Sequence, residues 1–177
     1  MNDKIIMDTN VAVKAAIPKL DCKDEELHVR SKCVEFIGRF VKNPKSKLVL
    51  DLDYEIIKEY RNRIPTNTDM GKVFWRWFNT YIGQISFDDL VKLDKRADGN
   101  YDKFPLEERT EKFDMSDRKF IALAIVHEEH PPIVEAMDGK WLGFKDVFEE
   151  YGVHIEFLDM DYAAMMLDRK SVNKRSS

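Results

Sequence analysis

Lys4-Ile5-Ile6-Met7-Asp8-Thr9-Asn10 is the stretch on which the fold turns. Three apolar residues run straight into a carboxylate, a hydroxyl and an amide. A short apolar run bounded by turn-forming residues predicts a buried strand, most often in a parallel sheet. Val11 to Ala16 follow with helical composition, three alanines among them. Asp8 therefore falls where a strand stops and a helix begins. In an open α/β sheet that is the carboxyl end of the strand, the edge at which ligands bind.

The same grammar recurs along the chain. Lys47-Leu48-Val49-Leu50-Asp51 and Ile133-Val134-Glu135-Ala136-Met137-Asp138 are again apolar runs that deliver an acid, and 153–158 alternates as a last strand. Between them lie helical patterns. Val29, Cys33, Phe36, Ile37, Phe40 and Val41 share one face, Ile56, Ile57 and Tyr60 another, and Phe120 to Ile125 form an apolar helix body opening near Asp114. Helices are also predicted over 144–151 and 161–169. Residues 18–27 and 94–112 read as exposed loops, the second with at most one helical turn; 87–93 fits a short strand or a helix equally. Residues 171–177 read as a frayed basic tail. This alternation predicts an α/β protein with a mostly parallel sheet covered on both faces, a three-layer α/β/α arrangement.

A chain of 177 residues suits one domain. Its residues are 44% hydrophobic, enough for a substantial core, and 35% charged, above the usual quarter, so the surface is densely charged. The net charge of -4 argues against a simple basic nucleic-acid binder. It leaves room for an enzyme that reaches phosphates through divalent cations. No apolar run approaches the roughly 18 residues of a membrane helix. Asp3 and Asp8 interrupt any signal-peptide core, and Cys22 and Cys33 are too few for a disulfide framework, so a cytoplasmic location with reduced thiols is expected.

If the sheet is parallel, Asp8 and Asp138 emerge at one edge. Asp114 and Asp117 open a helix at that same edge, where acids suit the positive end of the helix dipole. Glu59, one or two turns into the helix after the second strand, can lean over the same cleft; Glu55, four residues earlier, competes with it for that place. Carboxylates gathered this way repel unless something neutralises them. Hard divalent cations such as Mg²⁺ or Mn²⁺ do so with oxygen ligands. Two such ions about 4 Å apart can activate water and stabilise a leaving oxygen in phosphodiester hydrolysis. Thr9 and Asn10 stand beside Asp8, placed to orient a ligand carboxylate or a water.

These residues resemble a known family. Ile5-Ile6-Met7-Asp8-Thr9-Asn10 is similar to the opening motif of PIN-domain nucleases. Asp53 to Arg61 resembles that family's glutamate-bearing segment, and Asp114-Met115-Ser116-Asp117, leading into Arg118 to Ala124, its Asp-x-x-Asp helix opening. Val134 to Asp138 resembles its late strand and acid, and Tyr151-Gly152-Val153 its final turn. The resemblance covers most of the chain outside about 18–45 and 64–112. It implies a Rossmann-like α/β/α fold over residues 1–168 with a helical insertion around 64–112, and a flexible basic tail at 169–177. It further implies metal-dependent cleavage of RNA, with Asp8, Glu59, Asp117 and Asp138 as the catalytic, metal-binding acids and Asp114 as an additional or alternate one. Toxin-type members of the family imply an antitoxin protein as a partner to look for, beside the RNA substrate and a second copy of the chain. Glu135-Ala136-Met137 precedes Asp138 where many members carry Thr-Gly or Thr-Asn.

Other readings compete. In 70–83, Phe74, Trp75, Trp77, Phe78 and Tyr81 interleave with Lys72 and Arg76. Aromatics with basic residues can hold single-stranded nucleic acid, but the helical spacing of Phe74, Trp77, Phe78 and Tyr81 favours a buried stripe. Arg61, Lys72 and Arg76 are the candidate substrate contacts. Leu50-Asp51-Leu52-Asp53 is similar to the Asp-x-Asp of haloacid-dehalogenase-like phosphatases, with Asp51 as nucleophile. Glu55 stands where that pattern needs Thr or Val, and the Asp8 strand would have no role. His127-Glu128-Glu129-His130 spaces its histidines three apart, unlike a zinc-protease helix. The rival from another class is a PIN-like module that binds RNA or a protein without cutting.

Overall fold

Ile5, Ile6 and Met7 are buried in succession, so the strand that carries them is covered on both faces. That strand, β1 (Lys4–Met7), lies inside the sheet of the computed structural model, which describes residues 3–175. After it come α1 (Thr9–Ala16), α2 (Leu27–Phe40), β2 (Lys47–Leu48), β3 (Leu50–Asp51), α3 (Glu55–Arg63), α4 (Asp69–Ile82) and β4 (Leu90–Val91). The chain continues through α5 (Arg118–Val126), β5 (Ile133–Glu135), α6 (Gly139–Glu150), β6 (Ile155–Phe157) and α7 (Met160–Arg175). β1 pairs in parallel with β2 on one side and β5 on the other, and β5 pairs in parallel with β6. β2 and β3 are parts of one extended run: Val49 N–H still donates to Ile5 O at 2.9 Å, and from Leu50 onward the partner is β4. The protein is α/β, with a parallel sheet flanked by helices.

Acid side chains set where several helices start. Asp8 Oδ2 accepts from Asn10 N–H at 2.9 Å, so α1 begins at Thr9, two residues before the expected 11. Asp138 Oδ1 accepts from Lys140 N–H at 2.7 Å, so α6 begins at Gly139 rather than near 144. Asp51 receives the N–H groups of Glu55 and Ile56 at 2.7 and 2.8 Å, one on each oxygen. The carboxylate that a phosphatase reading would make a nucleophile is thus engaged in starting α3. α5 begins only at Arg118, and Asp114 sits one turn before it.

Two aromatic clusters hold the helices. Tyr60 of α3 meets Phe74 and Phe78 of α4 edge-on at 5.8 and 5.7 Å, and Trp77 stacks on Tyr81 at 5.0 Å. The stripe of α4 is therefore structural, and Lys72 and Arg76 lie exposed on the opposite face. The second cluster packs Phe113 against Trp141, Phe144 and Phe148.

Three boundaries differ from expectation. The 94–112 segment is not a surface loop throughout: Asn100, Tyr101, Phe104 and Thr110 are buried. Arg118, itself buried, pins the segment by donating to Asn100 Oδ1, Glu111 O and Phe113 O. Residues 64–112 also supply more than helix, since β4 extends the parallel pairing. Finally, α7 continues to Arg175, where a tail was expected from 169. No proline or glycine between 169 and 175 stops it; Ser176 and Ser177 lie outside the described residues. No helix among the described residues is long and apolar enough to cross a membrane.

α7 is seated on the start of α6 at Gly139. A methyl group there would stand 2.4 Å from Leu167 N and 2.7 Å from Ala163 O, both backbone atoms. Gly139→Ala is therefore expected to push the two helices apart and to lower stability by about 2 kcal/mol in urea denaturation, the usual size of an overpacking penalty.

Candidate functional site

The register of β1 on β5 brings the first two acids together. Met7 is level with Val134, and Asp8 N–H donates to Val134 O at 2.9 Å, so Asp8 and Glu135 follow side by side at the carboxyl edge. Glu135 is fully buried. One of its carboxylate oxygens accepts from Asp138 N–H at 2.8 Å, and the other has no hydrogen-bond partner.

α3 adds Glu59. Tyr60 donates its hydroxyl to Met7 O at 2.6 Å, which docks the helix on the end of β1 and turns its neighbour Glu59 toward Asp8. Glu55 faces elsewhere, toward Lys95 Nζ at 2.5 Å and Tyr101 Oη at 2.5 Å. Of the two glutamates, Glu59 is the one that faces Asp8. The turn before α5 brings Asp117 to the same place. Asp114, a turn earlier and exposed, pairs with Lys140.

The electrostatics record the crowding. Asp8 is only 2% exposed. Burial first, then the negative charges of Asp117 and Glu59, push its carboxyl up to about 7, against the opposing pull of the Asn10 N–H and Arg63. Asp117 is raised by burial, with Asp114 and Glu59 adding to it and Lys119 opposing. Glu135 is driven well up by burial and by Asp8. Glu59 goes the other way. Burial disfavours its charge, but Lys119, Thr9 and Arg63 outweigh that and hold the carboxyl below its ordinary range.

Two basic side chains therefore belong to the site. Lys119, buried at the start of α5, places Nζ 2.6 Å from Glu59 Oε2. Arg63 reaches Glu59 Oε1 at 3.3 Å and donates to Asn10 Oδ1 at 2.8 Å. Sequence reasoning missed Lys119, Arg63 and Glu135. A glutamate inside an apolar strand is itself a signal, because such residues are rarely fully buried. Arg63 lies four residues after Glu59, the spacing of a helical ion pair.

Asp8, Glu59 and Asp117 are thus brought into mutual electrostatic contact, while Asp138 stands beside Glu135 and lines a cavity together with Asn10 and Arg63. Thr9 is buried beside Glu59 and Asn10 is held by Arg63. Arg61, Lys72 and Arg76 are exposed on α3 and α4 and are not drawn into this cluster. Carboxylate oxygens, an amide and a buried unpartnered carboxyl oxygen make a donor set chemically suited to a hard cation. Among the described residues, no three His, Cys, Asp or Glu side chains stand close enough to enclose a metal ion as they are placed. Comparison with known proteins finds no matching family model, no match among curated proteins and no matching solved structure.

Proposed function

We propose that this chain is a metal-dependent ribonuclease of the PIN-domain type, with Asp8, Glu59, Asp117 and Asp138 as its working acids. The observation that carries the reading is that Asp8, Glu59 and Asp117, borne by three separate elements, lie within electrostatic reach of one another at the carboxyl edge of β1. A fold gains nothing in stability by gathering like charges, so their assembly points to a positively charged ligand. The strand order β4, β2/β3, β1, β5, β6, all parallel, supports a Rossmann-like, PIN-like topology.

Mg²⁺ or Mn²⁺, when bound by these four acids, supplies a water of lowered pKa and positive charge for the phosphate. The chain's own groups set the stage. The N–H of Asn10 and the register against Val134 orient Asp8. The Asp138 backbone is held by Glu135, and Glu59 is held by Lys119 and Arg63. The test is cleavage of a labelled single-stranded RNA with Mn²⁺, with Mg²⁺ and with EDTA. Cutting that EDTA abolishes is expected.

One observation favours a second reading. Lys119 and Arg63 already neutralise Glu59, so the cluster has cations of its own. On that reading the chain is a module that binds RNA or a protein without cutting, and RNA binding would persist in EDTA with no turnover under any metal.

Lys72 and Arg76 carry a smaller prediction. If they touch the RNA backbone, replacing both with Ala weakens binding and lowers the slope of log affinity against log salt by roughly 1.4, the contribution of two phosphate contacts on a single strand. An unchanged slope returns α4 to a purely structural role.

A further inference from the structure

A cavity of about 360 Å³ opens beside the acid cluster. Its polar lining includes Asn10, Arg63 and Asp138; its apolar lining is Val13, Met137 and Met166. That size and that mixture, an apolar wall with a few placed polar groups, are those of a small-molecule site. Asp138 belongs to both the cavity and the acidic edge, and Arg63 spans them by holding Glu59 and Asn10 at once.

The lining selects the ligand. Lys14 also borders the cavity, but it is paired to Glu26 at 2.7 Å, and Arg63 is paired to Glu59. The Asp138 carboxylate adds a negative charge to the wall. A phosphate would find paired cations and a repelling carboxylate. A flat heteroaromatic ring fits better. Methionine thioethers adapt to such rings and contact them favourably. Asn10, its Oδ1 held by Arg63, keeps its NH₂ to donate to a ring nitrogen or carbonyl.

We propose that this cavity seats a nucleobase of single-stranded RNA, beside the phosphodiester presented to the acids. The RNA in this statement rests on the nuclease reading above. Unpaired bases are recognised in this way, by contact with a ring face and by hydrogen bonds to its edge.

The eight methionines of the chain offer a direct readout. The 177-residue chain, labelled with ¹³C at its methionine methyls, is titrated in EDTA with each nucleoside 5′-monophosphate and separately with ribose 5-phosphate. The Met137 and Met166 methyl resonances are expected to move with at least one nucleotide and to stay in place with ribose 5-phosphate. Met166→Ala is expected to weaken that nucleotide by roughly tenfold, the low end of what a lost apolar pocket contact costs. The proposal is overturned if no nucleotide moves these methyls at up to about 10 mM, a range that reaches the weak affinity of single nucleotides. It is equally overturned if ribose 5-phosphate moves them as far. Because nothing is cut in EDTA, the two readings fail separately. Shifts in a protein that never cleaves RNA keep the cavity and remove the nuclease; cleavage without shifts does the reverse.

Discussion

Asp8→Asn is expected to lower metal-dependent cleavage by at least about 100-fold, the upper end of what losing a mere supporting partner of a metal site costs. The substitution is nearly isosteric, and the amide oxygen can still accept the Asn10 N–H that starts α1. The fold should therefore survive, which the far-UV spectrum checks. A second readout needs no RNA. The Asp8 carboxyl is ordinary in the unfolded chain and is pushed up to about 7 in the fold by burial and by Asp117 and Glu59. Between about pH 4 and pH 7 the folded state thus holds a proton that the unfolded state has lost. Stability from this group is fully present below pH 4, falls as pH rises, and is gone above about 7. Other carboxylates in the chain titrate in the same range, so the useful quantity is the difference between native and variant. In EDTA, Asp8→Asn is expected to gain on the native protein as pH rises from 4 to 7, by on the order of 3 kcal/mol. Urea denaturation at several pH values measures it. A difference that is flat with pH, together with cleavage unchanged in the variant, removes Asp8 from the centre of the site.

The parts legible in the sequence were those written locally. Apolar runs ending in acids gave β1, β5 and the 47–51 run, because a strand covered on both faces needs no alternation. The meeting of Asp8, Glu59 and Asp117 was legible too, since a parallel sheet sends every strand end of one kind to one edge. What escaped was set by contacts between distant segments. Asn100, Tyr101 and Phe104 sit among charged residues, and contacts with distant segments make that stretch part of the interior: Arg118 reaching back from α5 to Asn100, Glu55 on Tyr101, and the rings of Phe113 and Phe148 on Phe104. The early starts of α1 and α6 were missed because Asp8 and Asp138 were read only as site acids. The structure uses each of them also as a cap. Lys119 was passed over for a related reason: on a helix it reads as a surface lysine, and its burial follows from how α5 docks beside α3 through Glu59.

That lysine decides how the acids are to be understood. Lys119 is buried and lies 2.6 Å from Glu59, one of the acids proposed to hold the metal ion. Lys119→Met keeps the length and the apolar stem and removes the charge. In EDTA the variant leaves Glu59 beside Asp8 and Asp117 with the partly exposed Arg63 as its remaining cationic partner. Breaking a buried pair by removing one member costs about 3–5 kcal/mol. Glu59 keeps some access to solvent, so a loss near 3 kcal/mol is expected in urea denaturation. The two functional readings then part over what Mn²⁺ does. If the acids are built to hold a cation, Mn²⁺ takes over the missing charge, and the variant regains stability as the ion saturates it. At a hundred times the dissociation constant this amounts to about 2.7 kcal/mol, close to the whole loss. The variant's melting temperature should then rise with Mn²⁺ more steeply than that of the native protein. If Lys119 is instead the permanent counter-ion of a site that never holds metal, Mn²⁺ restores nothing and the melting temperatures of both proteins ignore it. The second result would turn the acidic edge into a self-neutralised surface and leave binding without cleavage as the role of the chain.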